Sequence, residues 1–119
     1  MSIRANTAVF SHVYYYEVQI LTSGIMQIGW STLRTKFSSH DGVGDDMTSY
    51  AYDGARCKKW HGASEEWGQH WSVGDIIGTL IDMEKGEITY WRNSTFLGLA
   101  FRNIPTGKNF AYFPAITLE

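Results

Sequence analysis

The sequence predicts an all-β fold of antiparallel strands, closed as a sandwich or a barrel. Three observations lead there. Aromatic residues are abundant, with 5 Trp, 7 Tyr and 6 Phe in 119 residues, and such side chains favour strands. Short segments alternate between apolar and polar residues, with glycine-bearing turns between them. No segment sustains a helical period, so few or no helices are expected.

The first clear strand spans residues 14–21. Tyr14, Tyr16, Val18 and Ile20 share one face, and Tyr15, Glu17 and Gln19 the other. Residues 22–24 turn the chain and residues 25–30 return it, so the pair is expected to form a hairpin. Residues 31–47 are polar, carry Gly42 and Gly44, and are expected to form a long loop. Residues 48–52 make the next strand, Asp53 and Gly54 a turn, and residues 56–60 a short strand. Residues 61–71 are expected to be a second loop. The apolar run 76–82 suits a central strand covered on both faces. Residues 84–86 turn the chain, residues 87–91 return antiparallel, and Asn93-Ser94 marks a further turn. Residues 111–118 form the last strand, with Pro114 expected at an edge or bulge. Such a fold buries its strands, so function is expected on loops.

Composition narrows the class of function. At 44% hydrophobic and 18% charged, the chain can build one core, and residues 1–119 fit a single domain. A net charge of −2 lacks the electrostatic footprint of a nucleic-acid binder or of a protein drawn to anionic membranes. The single cysteine, Cys57, cannot form an internal disulfide, which favours cytosol or nucleus. The polar N-terminus is no signal peptide, and no apolar run approaches the ~20 residues that span a bilayer. The expected molecule is soluble, and a piece excised from something longer.

Candidate chemistries fare poorly. Gly42 and Gly44 could open a phosphate cradle, but position 47 is Met rather than the third glycine and no helix follows. Asp41, Asp45 and Asp46 could offer oxygen to calcium, yet the EF-hand spacing is absent, and turn-forming Asp is the better reading. His12, His40, His61 and His70 show no pairing that suits zinc. Glu65 and Glu66 lie in a loop near Trp67 and Trp71; neighbours on a strand would point to opposite faces and could not flank one bond, and a solvated loop is the better reading. Ser31, Ser38, Ser39 and Ser49 lack a nucleophile-elbow context. Cys57 lies between cations but reads as a packing residue on a short strand. Asn93-Ser94-Thr95 matches a glycosylation sequon but reads as a turn. No catalytic residue, metal or cofactor is therefore expected. The segment 56–61 differs. Arg56, Lys58 and Lys59 alternate with Trp60 and His61 beside a loop, and Trp and Arg dominate binding hot spots. Trp60 is either core or an exposed anchor.

Several motifs occur in order: Tyr15-Tyr16-Glu17-Val18, Ile28-Gly29-Trp30, Gly44-Asp45-Asp46, the stretch 49–54, Trp71 to Asp75, Leu80 to Glu84, the stretch 86–91, Leu97 to Phe101 and Phe113 to Ile116. Together they resemble a SPRY domain over nearly the whole chain. The wording of residues 27–30, 42–45 and 49–54 is similar to one branch, that of large RING-finger ubiquitin ligases such as the catalytic subunit of the KPC ligase. The resemblance implies a concanavalin-like jelly-roll sandwich of two antiparallel sheets without catalytic activity. It also implies loops at one end that grip short peptides or folded partners. In SOCS-box SPRY proteins an early arginine, a threonine after the Ile-Gly strand and a tyrosine after the Trp-Asp turn touch peptide, and Arg4, Thr32 and Trp60 match these positions. Arg56 and His61 belong to the frame around Trp60, and Tyr50 would add a neutral hydrogen bond. The chain departs from the pattern in three ways. Asn93-Ser94 replaces Asn-Gly. The final Asn-Phe-Gly strand is missing, which would leave an open edge. Trp60 replaces the tyrosine and so changes peptide specificity.

The expected function is a monomeric protein-interaction module, the substrate- or partner-recognition part of a ubiquitin ligase. A glycan-binding module, a hydrolase using Glu65 or Glu66, and a structural domain packed inside a larger protein are the rivals.

Overall fold

In the computed structural model, residues 1–35, 41–107 and 110–118 are described. Within them the strands are β1 (Ser2–Arg4), β2 (Val13–Gln19), β3 (Ile25–Ser31), β4 (Ser49–Asp53), β5 (Lys58–His61), β6 (Ala63–Glu66), β7 (Ile76–Asp82), β8 (Glu87–Arg92), β9 (Thr95–Phe101) and β10 (Phe113–Leu118), and no helix occurs. Two sheets stack, one of six strands in the order β1-β10-β3-β4-β5-β6 and one of four in the order β2-β7-β8-β9. Every paired neighbour runs antiparallel. The expected all-β sandwich is therefore the fold.

The core lies between the sheets. Ile28, Trp30, Tyr50 and Tyr52 come from the six-stranded sheet and Ile77, Ile81, Ile88 and Tyr90 from the four-stranded one, all buried. Buried polar groups need partners, and here those partners tie the sheets together. Trp30 Nε1 donates to Thr79 Oγ1 at 3.1 Å, the Tyr90 hydroxyl to the Ile28 carbonyl at 2.9 Å, and the Tyr16 hydroxyl to the Gly29 carbonyl at 2.6 Å.

Several expectations need correction. Residues 14–30 are not a hairpin: β2 pairs with β7 in one sheet, while β3 lies between β10 and β4 in the other. Both strands bury one face in the same core, but from opposite sides, so the turn carries the chain across the sandwich. Residues 61–71 are not all loop, because Ala63–Glu66 pairs with β5. The short strand starts at Lys58, since Cys57 adopts a left-handed φ of 53° and ends a turn. Pro114 sits inside β10, which has neighbours on both sides. It is tolerated there because its carbonyl accepts from Ala5 N at 2.9 Å. A strand residue's N and O face the same way, so the missing N–H points past the end of β1 and costs no bond to β3. At the β8–β9 turn both Asn93 (φ 49°) and Ser94 (φ 67°) are left-handed, so Ser94 adopts a conformation usually left to glycine.

Candidate functional site

At one end of the sandwich the β3–β4 connection, the segment before β2 and the segment before β10 enclose a groove of about 460 Å³. Its floor is the rings of Tyr50 and Tyr112, both buried in the core. Its rim is apolar and open to solvent: Phe10 is 62% exposed, Leu33 70% and Met47 67%. Phe110 and Pro105 continue the wall, and Arg34 contributes the charged rim residue.

Local hydrogen bonds hold the rim in place. Thr32 N donates to the Thr48 carbonyl at 3.2 Å, and Thr35 Oγ1 donates to the same carbonyl at 3.0 Å. Arg4 Nη1 donates to the Thr32 carbonyl at 2.8 Å, with its guanidinium 5.6 Å from the Phe113 ring centre. The two ends of the β3–β4 connection are thus stitched to each other and to β1. Burial pushes the Tyr50 and Tyr112 hydroxyls above the usual phenol range, so the floor stays neutral. Tyr112 donates to the Pro105 carbonyl at 2.7 Å. A neutral aromatic floor with an apolar rim suits an apolar side chain rather than a charged ligand.

The six residues singled out in the sequence do not converge. Thr32 and Tyr50 line the groove, and Arg4 braces its rim from behind. His61 stacks flat on Tyr50, with ring centres 4.0 Å apart and planes at 8°. It opens into a second, more polar groove of about 310 Å³ with Lys59, Glu65 and Phe101.

Trp60 and Arg56 lie elsewhere. Alternation along β5 puts Trp60 on the opposite face of the sheet from His61. There its ring packs on a small second core of Val43, Ala51 and Ala115. The loop Gly42-Val43-Gly44 closes over it: Gly44 has φ +91°, and a Cβ there would come within 2.5 Å of Trp60 Cβ. Trp60 is thus half-buried rather than an exposed anchor, and its indole N–H is buried without a partner among the described residues. The Arg56 guanidinium sits 4.8 Å from the Trp60 ring centre, while Arg56 Nε donates to the buried Asp53 carboxylate at 2.6 Å.

The same loop disposes of two other readings. Gly42 N donates to Asp45 Oδ2 at 2.5 Å, Val43 N to Thr117 Oγ1 at 2.8 Å and Gly44 N to Ser49 Oγ at 2.7 Å. No amide of this glycine loop is left for a phosphate. Asp46 Oδ1 accepts from Thr48 N and Thr48 Oγ1, at 2.9 and 2.6 Å. Asp45 and Asp46 therefore shape the turn. Among the described residues, no group of three or more His, Cys, Asp or Glu is placed to hold a metal. Glu65 and Glu66 lie not in a solvated loop but on β6, on opposite faces, across from Lys59 and Lys58. Both ends of the Asn93 amide are engaged, Oδ1 by Ile76 N and Nδ2 by Asp75. Ser38, Ser39 and His40 lie outside the described residues.

Sequence reasoning missed Phe10, Leu33, Met47 and Phe110. Their only signal is that each is a large apolar residue inside a connecting segment, with polar neighbours on both sides only at Leu33 and Met47.

A family model described as "SPRY domain" matches residues 13–119. A protein of Arabidopsis thaliana named "E3 ubiquitin-protein ligase RKP" is 47% identical over 119 residues, covering 99% of this chain and 9% of that protein's length. The crystal structure of the SPRY domain of human HERC1 superposes with a TM-score of 0.81 at 20% identity, over 98% of this chain and 73% of that one. The fold is shared with it.

Proposed function

Because the chain belongs to the SPRY domain family, we propose that it is a non-catalytic module that binds a short peptide or protein segment in the groove beside Thr32 and Tyr50. The observation that carries this reading is the groove itself: three large apolar side chains stand exposed around a buried aromatic floor. Exposed apolar groups gathered around a concave floor mark binding sites, whereas scattered ones do not. The segment it takes would present an apolar or aromatic anchor, with the backbone near Thr32 and Thr48 offering polar contacts.

The magnitudes are compatible with reversible recognition. An aromatic anchor buries about 150–250 Å², worth roughly 4–6 kcal/mol at ~25 cal/mol per Å². Micromolar binding needs about 8 kcal/mol, so one anchor falls short and flanking contacts must supply the rest. The similarity to the RKP protein extends the proposal: the module would be the partner- or substrate-recognition part of a ubiquitin ligase, acting as a monomer in cytoplasm or nucleus.

Selection from a peptide library displayed on phage tests this, with the wild-type domain and Leu33→Asp as parallel baits. Enrichment of sequences sharing an apolar anchor on wild type, absent on a Leu33→Asp domain that melts normally, is the expected result. Equal enrichment on both would move the site away from the groove. No enrichment on either would favour a domain that packs inside a larger protein.

A further inference from the structure

The outer face of the four-stranded sheet, which shares no lining residue with the groove, carries a row of aromatic rings bordered by carboxylates. The register places Tyr15, Leu80, Trp91, Phe96 and Leu99 on this face together with three carboxylates, Glu17, Asp82 and Glu87. None of the residues that the register turns outward along these four strands is Lys or Arg.

The aromatic row crosses the sheet in contact. Tyr15 meets Trp91 edge-on, with ring centres 5.6 Å apart and planes at 80°, and Trp91 meets Phe96 at 5.3 Å. Gly78 makes this possible, because a Cβ there would lie 2.0 Å from the Tyr15 hydroxyl. Without that Cβ, the Tyr15 ring can lie down over β7 and reach β8. Its hydroxyl donates to Glu17 Oε2 at 3.2 Å, so a carboxylate is held beside the row. Tyr15 and Phe96 remain 49% and 59% exposed.

We propose that this face is a second docking surface, for an extended segment of a partner protein that carries Arg or Lys between apolar residues. Cations bind over the faces of Trp, Tyr and Phe. The surrounding carboxylates supply the opposite charge, which steers and orients such a partner. Apolar residues between the cations would cover Leu80 and Leu99. An acidic segment would meet like charge from Glu17 and Glu87. Because the groove and this face share no lining residue, one module can hold two segments at once.

The probe is a fluorescein-labelled peptide of three Arg-Leu repeats, with a Glu-Leu peptide as control, read by anisotropy at low salt. Thermal melts confirm that each variant is folded. The expected result is binding of the Arg-Leu peptide alone, weakened about tenfold by Glu17→Lys and about fivefold by Phe96→Ser. Both substituted side chains are exposed, so folding is not at stake. Leu33→Asp is expected to bind this probe as wild type does, whatever it does to groove ligands.

Four results would overturn the proposal. The Arg-Leu peptide fails to bind at millimolar domain. The Glu-Leu peptide binds equally well. Leu33→Asp abolishes binding, which would assign the probe to the groove. Sedimentation shows that the face pairs two copies of the domain, with Glu17→Lys restoring the monomer.

Discussion

Trp60→Ala separates a packing role from a binding role at the residue for which the sequence left both open. Truncating a fully buried Trp costs about 3–5 kcal/mol. Trp60 is only partly buried on Val43, Ala51 and Ala115, so a value at or below the low end of that range, about 2–3 kcal/mol, is expected. Removing the unpaired indole N–H returns part of the cost, since an unsatisfied buried donor is itself worth about 1–3 kcal/mol. The net loss should be about 1–2 kcal/mol, lowering Tm by roughly 5–10 °C for a domain of this size. Trp60→Phe keeps much of the ring and drops the unpaired donor, so it should stay within about 1 kcal/mol of wild type. Urea unfolding followed by far-UV circular dichroism measures both variants. Affinity for a groove peptide should change by no more than about twofold in either, because Trp60 lies on the other face of the sheet. The reasoning is refuted if Trp60→Ala melts with wild type and loses the peptide.

Arg56→Ala should cost more than an ordinary surface substitution, about 2–3 kcal/mol. It removes a charge-assisted hydrogen bond to the buried Asp53 carboxylate while the Arg56 backbone N–H stays on Oδ1 at 3.0 Å, and a hydrogen bond to a charged group is worth about 1.5–3 kcal/mol; chemical denaturation measures this, and a change under ~0.5 kcal/mol would contradict it. Asp75→Asn should change how stability depends on acid. Hydrogen bonds from Asn93, Arg92 and the Ser72 amide hold the Asp75 carboxyl at about 2, below its ordinary 3.8. A depressed carboxyl stabilises the fold above its unfolded pKa, and that contribution fades as pH falls from near 4 through 2. Allowing for solvent screening it is worth about 1–2 kcal/mol, so wild type should exceed Asp75→Asn by that much at pH 6 and by almost nothing at pH 2. A pH-independent gap between their melting curves would count against this account.

The strands with strong alternation or unbroken apolar runs were legible in the sequence. The centres of β2, β3, β4, β7, β8 and β10 all coincide with expected segments. Three strands were not. β1 is too short to show a period, at three residues. β6 is Ala-Ser-Glu-Glu, exposed along its length, so it lacks any apolar signal. β9 is interrupted by Gly98, and register shifts in the β8–β9 pairing spoil its alternation. The supposed hairpin of β2 and β3 failed for a different reason: spacing shows that two strands are adjacent in sequence, but not which sheet each joins.

The candidate site was legible only in part. Thr32 and Tyr50 flank or enter strands with clear patterns, and the family resemblance pointed at Thr32. Arg4 was identified, but it braces the rim by donating to a backbone carbonyl. For Trp60 the sequence left core and exposed anchor both open, because exposure depends on the loop 42–44 folding back over it, a long-range contact that no local pattern encodes. Phe10, Leu33, Met47 and Phe110 were missed because isolated apolar residues in loops are common, and only the fold gathers these four around one floor.

Backbone amide shifts of ¹⁵N-labelled domain, titrated with a peptide enriched on wild type, test the central claim most directly. Saturable changes should cluster at Thr32, Leu33, Met47, Thr48 and Tyr112 and leave the Trp60 and Trp91 indole signals in place. Changes centred on the Trp60 indole and the loop 42–44, with the groove silent, would contradict the account.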